Sequence, residues 1–502
     1  MTLPDGRRLY GAVAACAVVV HLGALWNDFV MDDRYIILFN PFVHSLDGLW
    51  RAFTLPYWPP EMGGKMYRPV TIATYVLDWR VGGPLWFHAV NLVWHAAAAV
   101  AVTALARRWA GVAAALAAGM IFAVHPVHVE VIANIVGRAE LMAAVGVCLA
   151  VYAALVRGSV AWSVLALVGG LLSKENAAVA PGIIVWAWVL GLARPTRSKL
   201  LAFVVSWVVV GAAYAAVREV VLSPYARFEN VAPVFVGAGQ TAVRLTGVAA
   251  LTDAARLLVF PLTLRADYSP AERTIVASLF DPRFALGLVC CAVWAALLIL
   301  AWRRGRRLEA FGLGWIGIAF LPVANILFPV GVVIAERTLY LPSIGLALAV
   351  GAWLGNLEHR TYGALLAAAV IIGGVRSAVR VPVWRSDLAV TLSILEDSPR
   401  SYAGPARTGA LLLASGEPEK ALAALQVAIG IFDRGHSTYV AAAAAAFASG
   451  RPDLAHEYMR RADQLCIGCP VGYRTEAAAA RARGDTATAD SLSAHADRLE
   501  AK

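Results

Sequence analysis

Two adjacent carboxylates, Asp32 and Asp33, follow the first apolar run, within the string Asn27-Asp28-Phe29-Val30-Met31-Asp32-Asp33-Arg34. Neighbouring like charges resist ionising together. A carboxylate held at a membrane interface suits the work of a general base on an acceptor hydroxyl. Taken alone, the pair reads better as the solvated start of a loop. Further charged strings stand between apolar runs. They are Met66-Tyr67-Arg68-Pro69, His125-Pro126-Val127-His128-Val129-Glu130, Gly137-Arg138-Ala139-Glu140, Ser173-Lys174-Glu175-Asn176 and Ala335-Glu336-Arg337, the last followed by Tyr340. His88, Asn91 and His95 share one helical face by their i, i+3/i+4 spacing, so they face protein or a cavity, or bond between helices. His125 and His128 with Glu130 could contribute to a metal site. Pro126 disturbs their spacing and no third ligand is identifiable, so a divalent metal stays open and no metal ligand is assigned. Arg138 at a helix start is placed to grip a phosphate, helped by the free backbone N–H groups there.

The elements that carry these strings read as membrane spans. Of 502 residues, 60% are hydrophobic and only 15% are charged, against nearly half and a quarter in a soluble domain. The long apolar runs lie within 1–380. Residues 387–502 have an ordinary soluble composition. A span needs about 20 mostly apolar residues. The candidates are 9–26, 86–106, 111–126, 139–156, 160–173, 176–192, 199–217, 284–302, 311–328, 334–355 and 361–380, eleven in all. The first run has no small-x-small cleavage site behind it, so it reads as a retained helix.

The net charge of +10 orients these spans and gives no signal for nucleic acid. Short basic loops stay in the cytoplasm, which places Arg7, Arg8, Arg107, Arg108, Arg157, Arg194, Arg197, Lys199, Arg303, Arg304, Arg306, Arg307 and Arg360 on one side. Were 238–260 also a span, Arg303–Arg307 would face outward. That segment, with Arg244, Asp253 and Arg256, is therefore expected to lie along the interface as an amphipathic helix. The N-terminus is then cytoplasmic. A first loop (27–85), a loop at 218–283 and the tail are extracytoplasmic, and every charged string above falls at that outer face. Such convergence favours one shared site.

The tail repeats. Gly416, Gly450 and Gly484 are spaced by 34 residues, as are Ala421, Ala455 and Ala489. That period, with Gly ending one helix and Ala permitting close packing, marks a TPR-like α-solenoid, a module that presents a face to a protein partner. Cys466 and Cys469 form a lone CIGC string, suited to a local disulfide or to two free thiols. Cys16, Cys148, Cys290 and Cys291 sit in apolar runs as small hydrophobes.

The strings NDFVMDDRYI, YRPV, FHAVNLVWH, FAVHPVHVEVI, GRAEL, SKENA, DYS (Asp267-Tyr268-Ser269) and AERTLYLPSIG, in this order and followed by the repeats, resemble the transmembrane-and-TPR O-mannosyltransferases, a branch of the GT-C glycosyltransferase superfamily. The resemblance covers nearly the whole chain. It departs in the tail, which has about three repeats where animal members have more; the high Ala/Arg content points to a bacterial relative. The fold implied is all-α: a polytopic GT-C-type body of about eleven transmembrane helices (1–380) with a C-terminal TPR-like solenoid (387–502). The function implied is inverting transfer of a sugar, mannose by the resemblance, from a polyprenyl-phosphate donor to an extracytoplasmic hydroxyl on protein or glycan, in the cell (inner) membrane. Asp32 or Asp33 takes the base role, with Asp33 slightly favoured. Arg138, Lys174 and Arg337 are assigned to the donor phosphate, and Glu130, Glu140, Glu175 and Glu336 to orienting them. Tyr67, Arg68, His88, His125, His128 and Tyr340 support the site, and the 238–260 helix is expected to shape a lipid groove. The competing readings are a transporter or flippase for a lipid-linked glycan, which needs charge on both faces, and an inactive membrane-tethered scaffold.

Overall fold

Each apolar run folds as a helix, because in a bilayer only internal hydrogen bonding satisfies the backbone. The computed structural model describes residues 6–59, 66–225, 231–466 and 469–500. Parts of the first loop (60–65), of the 218–283 loop (226–230) and of the CIGC string (467–468) lie outside the described residues. The helices are α1 (Gly6–Val20), α2 (Pro69–Val81), α3 (84–110), α4 (112–124), α5 (Arg138–Leu155), α6 (Val160–Ser173), α7 (Ala180–Val189), α8 (Arg197–Leu222), α9 (Gln240–Val259), α10 (Pro282–Arg303), α11 (Arg307–Phe320), α12 (Tyr340–Leu354) and α13 (His359–Arg380). All but α2 and α9 answer to an expected span. The chain is an all-α polytopic membrane protein. The helices of the Pro84–Val124, Ile135–Leu155, Arg197–Leu222, Pro282–Arg303, Glu336–Leu354 and His359–Trp384 stretches are long and apolar enough to cross by themselves. In α8 only 6% of the most apolar window is buried against protein, so its Val and Leu side chains need lipid as their solvent.

The bundle has two unlike ends. At one, short turns pass through left-handed glycines, Gly111 (φ +76°), Gly158 (+58°), Gly191 (+69°) and Gly305 (+71°). A Cβ is disfavoured in that conformation. Long polar side chains cap this end. Trp109 Nε1 donates to the Leu192 carbonyl at 3.2 Å, Lys199 Nζ to Gly158 at 2.9 Å, and Tyr362 Oη to Ala113 at 2.9 Å. At the other end helices give way to 3₁₀ turns: Leu22–Trp26, Pro126–His128, Ile135–Gly137, Glu175–Val179, Leu321–Val323, Glu336–Leu339 and Val381–Trp384. Four of the continuous spans expected from sequence are interrupted here. α1 stops at Val20, α11 stops before Pro322, and the 176–192 and 334–355 runs each begin as a 3₁₀ turn. Such turns are short and hydrogen-bond less regularly than an α-helix, and at this end side chains bond to backbone groups in and around them.

Helix α9 lies across this second end and does not traverse the bundle. Arg244 Nε, near its start, donates to the Ile326 carbonyl (3.3 Å), and the Leu258 carbonyl, near its finish, accepts from His125 Nε2 (2.9 Å). Residues 326 and 125 both belong to the same end. Elsewhere backbones approach closely through small residues. A methyl added at Gly312 would come within 2.3 Å of the Gly345 carbonyl oxygen, so α11 and α12 touch backbone to backbone, the packing typical of helices in lipid.

The tail begins with α14 (Asp387–Asp397) and continues as three helix pairs: α15 (Ala403–Ala414) with α16 (Pro418–Ile431), α17 (His436–Ala448) with α18 (Pro452–Leu465), and α19 (Val471–Ala482) with α20 (Thr486–Glu500). Gly416, Gly450 and Gly484 end the first helix of each pair at φ +77°, +69° and +81°, and Ala421, Ala455 and Ala489 are fully buried between helices. The repeat spacing thus acts through two devices, a left-handed helix stop and a close contact. Cys466 and Cys469 are disulfide-bonded. The tail docks on the 3₁₀ end. Arg380 Nη1 pairs with Asp397 at 2.7 Å, Tyr402 N–H donates to the Pro270 carbonyl at 2.7 Å, and Ser401 Oγ donates to Asp267 at 2.6 Å.

Candidate functional site

A cavity of about 200 Å³ opens at the 3₁₀ end beneath the tail, and Asp32, Glu130, Arg265, Asp267, Tyr268 and Arg337 line it. Its floor is the turn before α12 and the HPVHVE turn after α4. Its walls are the segments 232–234, 265–270 and 331–335. Arg337 is fixed by Glu130: one carboxylate oxygen accepts the Arg337 backbone N–H at 2.8 Å, and the other pairs with Nη1. The Glu130 side chain is 3% exposed while that of Arg337 is 41% exposed, so the pair presents a guanidinium to the cavity from a buried anchor. Arg265 enters from the opposite wall, paired with Glu272.

The two aspartates of the first loop part company. Asp33 is fully buried. Its Oδ1 accepts the Val136 N–H (2.8 Å), and its Oδ2 accepts those of Val30 (3.2 Å) and Ile135 (3.3 Å). It ties the first loop to the turn before α5. Burial pushes its carboxyl up to about 8, against the pull of those three backbone donors. Asp32 is half-buried and lines the cavity. Burial raises its carboxyl too, while Arg337, Arg407 and Arg68 draw it down. Of the two, only Asp32 presents its carboxylate to open space.

Arg138 does not reach the cavity. Its side chain is fully enclosed. Nε donates to Asn91 Oδ1 (2.8 Å), Nη2 to the Phe87 carbonyl (2.9 Å), and Nη1 to Thr74 (3.3 Å) and to Asp78 in a close ion pair. Tyr75 stacks below it at 4.8 Å. Expected to hold phosphate, Arg138 instead knots α2, α3 and α5 together, because every direction its fork faces is taken by protein. The expected phosphate ligand Lys174 is one-eighth exposed and bonds Glu140 at 2.5 Å. Arg68 forms a bidentate pair with Glu175, at 2.7 and 3.1 Å. None of this second cluster lines the cavity; Arg68 acts on Asp32 only through its charge.

The remaining expected residues are fastenings. Glu336 orients no arginine side chain; it is buried and accepts the Arg265 N–H (2.5 Å) and the Tyr268 hydroxyl (3.3 Å). His125 meets the Leu258 carbonyl, and His128 meets Ser343 Oγ at 2.7 Å. His95 meets the Tyr340 hydroxyl at 2.9 Å, and His88 is enclosed against the Asn27–Asp28 backbone. Of the polar stripe of α3, Asn91 and His95 therefore bond between helices. Among the described residues no three His, Cys, Asp or Glu are grouped to hold a metal. Tyr67 donates to the Phe53 carbonyl at 3.1 Å. It also lines an apolar groove of about 200 Å³ between α6 and α8, together with Val168, Leu171, Leu172, Val210 and Tyr214. Sequence reasoning missed Arg265, Asp267 and Trp384 as cavity residues. Asp267 stands in the quoted DYS string, but nothing local marks Trp384, which arrives from the far end of α13.

Fold and site define a multi-pass membrane protein with a charged cavity at one end of its bundle, the end on which the helical repeats dock. No family model matches the chain. It is 30% identical over 345 residues to a protein O-mannosyl-transferase of Caenorhabditis elegans, covering 66% of this chain and 49% of that protein. It is 27% identical over 468 residues to the protein O-mannosyl-transferase TMTC4 of Homo sapiens (77% and 61%) and 26% identical over 438 residues to the protein O-mannosyl-transferase TMTC3 of Mus musculus (77% and 47%). The chain thus spans between about half and three-fifths of the length of these relatives.

Proposed function

We propose that the chain is a glycosyltransferase that moves mannose from a polyprenyl-phosphate donor to a hydroxyl of a protein acceptor on the extracytoplasmic side. The observation that carries this is the cavity, where an accessible carboxylate, Asp32, and a firmly held guanidinium, Arg337, line one space. The names of the similar proteins supply the sugar and the protein acceptor. Asp32 takes the proton of a serine or threonine hydroxyl as its oxygen attacks the anomeric carbon. The carbon–oxygen bond to phosphate breaks on the opposite face, so one displacement inverts the centre. Charge grows on the leaving phosphate, where a preorganised cation stabilises the transition state most; Arg337 is that cation, and Arg68 adds positive charge from outside the cavity lining. The donor's isoprenoid chain runs in the α6/α8 groove, whose apolar lining includes Tyr67, next to Arg68 in sequence. This moves the expected lipid groove away from α9.

The membrane orientation belongs to the same proposal. The glycine-turn end, with Arg107, Arg157, Arg303 and Arg307, is cytoplasmic by its basic short loops. The test is reconstitution in liposomes with polyprenyl-phosphate-mannose and a pool of serine/threonine peptides. Donor-dependent mannosylation of peptide is expected. Movement of donor across the bilayer without transfer would instead make the protein a transporter.

A further inference from the structure

Met31, immediately before Asp32, stands at φ +52°. Residues other than glycine rarely occupy this left-handed region, and persist there only where their surroundings over-determine them. Three bonds do so here. The Val30 N–H donates to Asp33, as above. The Met31 N–H donates to Oδ1 of Asp387 at 3.0 Å. Oδ2 of Asp387 accepts from Arg34 Nη1 at 3.1 Å. Asp387 is the first residue of α14, in the tail, behind an N-cap in which Ser386 Oγ accepts the Ala389 N–H at 3.2 Å. Arg407, on α15, donates to the same Oδ1 that receives the Met31 N–H, also at 3.0 Å. One tail carboxylate thus gathers two donors from the first loop and one from the next repeat helix. It does so one residue from the cavity aspartate.

We propose that Asp387 and Arg407 are positioning residues of the transferase centre: they hold Met31 in its left-handed conformation and thereby aim Asp32 into the cavity. The repeat tail is then a working part of the site as well as a docking arm. The inference rests on the reading of Asp32 as the base. The charges acting on Asp32 are Arg337 from the turn before α12, Glu130 from the turn after α4, Arg68 from the start of α2, and Arg407 from the tail; Arg265, Asp267 and Tyr268 line the same cavity from the 265–270 wall, and Asp33 adjoins Asp32 and interacts with it electrostatically. Arg407 favours the ionised carboxylate, so the tail also supplies part of the field in which the base works.

The test uses the full chain in liposomes with polyprenyl-phosphate-mannose and the peptide pool, comparing Asp387→Ala, Asp387→Asn and Arg407→Gln with Asp397→Asn. The last loosens an ion pair at the same junction without touching Met31. Displacing a reacting group by about 1 Å costs on the order of 100-fold in rate. Asp387→Ala is therefore expected to lower kcat about 10- to 100-fold, with KM for the donor nearly unchanged. Asp387→Asn keeps an oxygen for the Met31 N–H and should retain part of that loss. Arg407→Gln should move the acidic limb of the kcat/KM profile to higher pH, and Asp397→Asn should match wild type. If Asp387→Ala fails to fold, the Asn and Gln variants still decide. Wild-type kcat and an unmoved pH profile in the folded Asp387 and Arg407 variants overturn the inference. A fully active Asp32→Asn overturns the functional reading itself. An inactive Asp32→Asn beside unaffected Asp387 and Arg407 variants removes only the role of the tail.

Discussion

Two arginine–carboxylate pairs at the same end of the bundle have opposite fates. Arg138 and Asp78 are sealed, their side chains 0% and 9% exposed, while Arg337 keeps 41% of its surface over a buried Glu130. Both arginines stand beside a helix start in a short charged string, and from sequence both read as phosphate ligands. What separates them is their surroundings: Asn91, Phe87, Thr74 and Tyr75 satisfy and cover Arg138, whereas Arg337 faces a cavity. A buried pair holds structure because breaking it strands a charge. A half-open pair leaves its cation free to meet a ligand.

The comparison can be broken at either pair. The largest expected effect is on stability. Arg138→Ala leaves Asp78 without its cation and should cost about 3–5 kcal/mol, read as a lowered unfolding midpoint in detergent, with activity lost only as the folded fraction is lost. Next, Arg337→Ala should cut transfer by about 100- to 1000-fold while lowering the midpoint less than Arg138→Ala does. If Arg138→Ala abolishes turnover in protein that remains folded, the division between the two pairs is wrong. A further effect, read as a slope against pH, concerns the buried aspartate. The Asp33 carboxyl rises from 3.8 to about 8 on folding, so the folded state holds its proton more tightly. Its contribution is present at low pH and is lost as pH rises through that interval. The fall in stability of wild type between about pH 4 and pH 8 should therefore be shallower in Asp33→Asn; equal slopes would argue that Asp33 is ionised in the native protein.

Much of the architecture was legible because membrane spans and repeats are written in periodic, local signals. The basic short loops give a topology in which 238–260 stays at one end, and α9 does lie across that end. The 34-residue step locates Gly416, Gly450 and Gly484 at helix stops and Ala421, Ala455 and Ala489 at helix contacts. The site was legible only as a set of strings. Residue type and membrane depth could gather Asp32, Arg138, Lys174 and Arg337 at one face, but they say nothing of which way a side chain turns. Asp33 bonds Val136, Glu336 bonds Arg265, and His128 bonds Ser343 across at least 70 residues of sequence, distances over which no spacing rule operates. Asp387 and Trp384 were invisible for the same reason, since the tail returns to the first loop only in three dimensions.

Asp32 faces the cavity whereas Asp33 is buried and bound to backbone. The direct measurement is mannose transfer from polyprenyl-phosphate-mannose by the reconstituted Asp32→Asn protein, with its unfolding midpoint recorded alongside. A loss of rate of about 100-fold or more at a wild-type midpoint is predicted. Undiminished transfer by Asp32→Asn would contradict it.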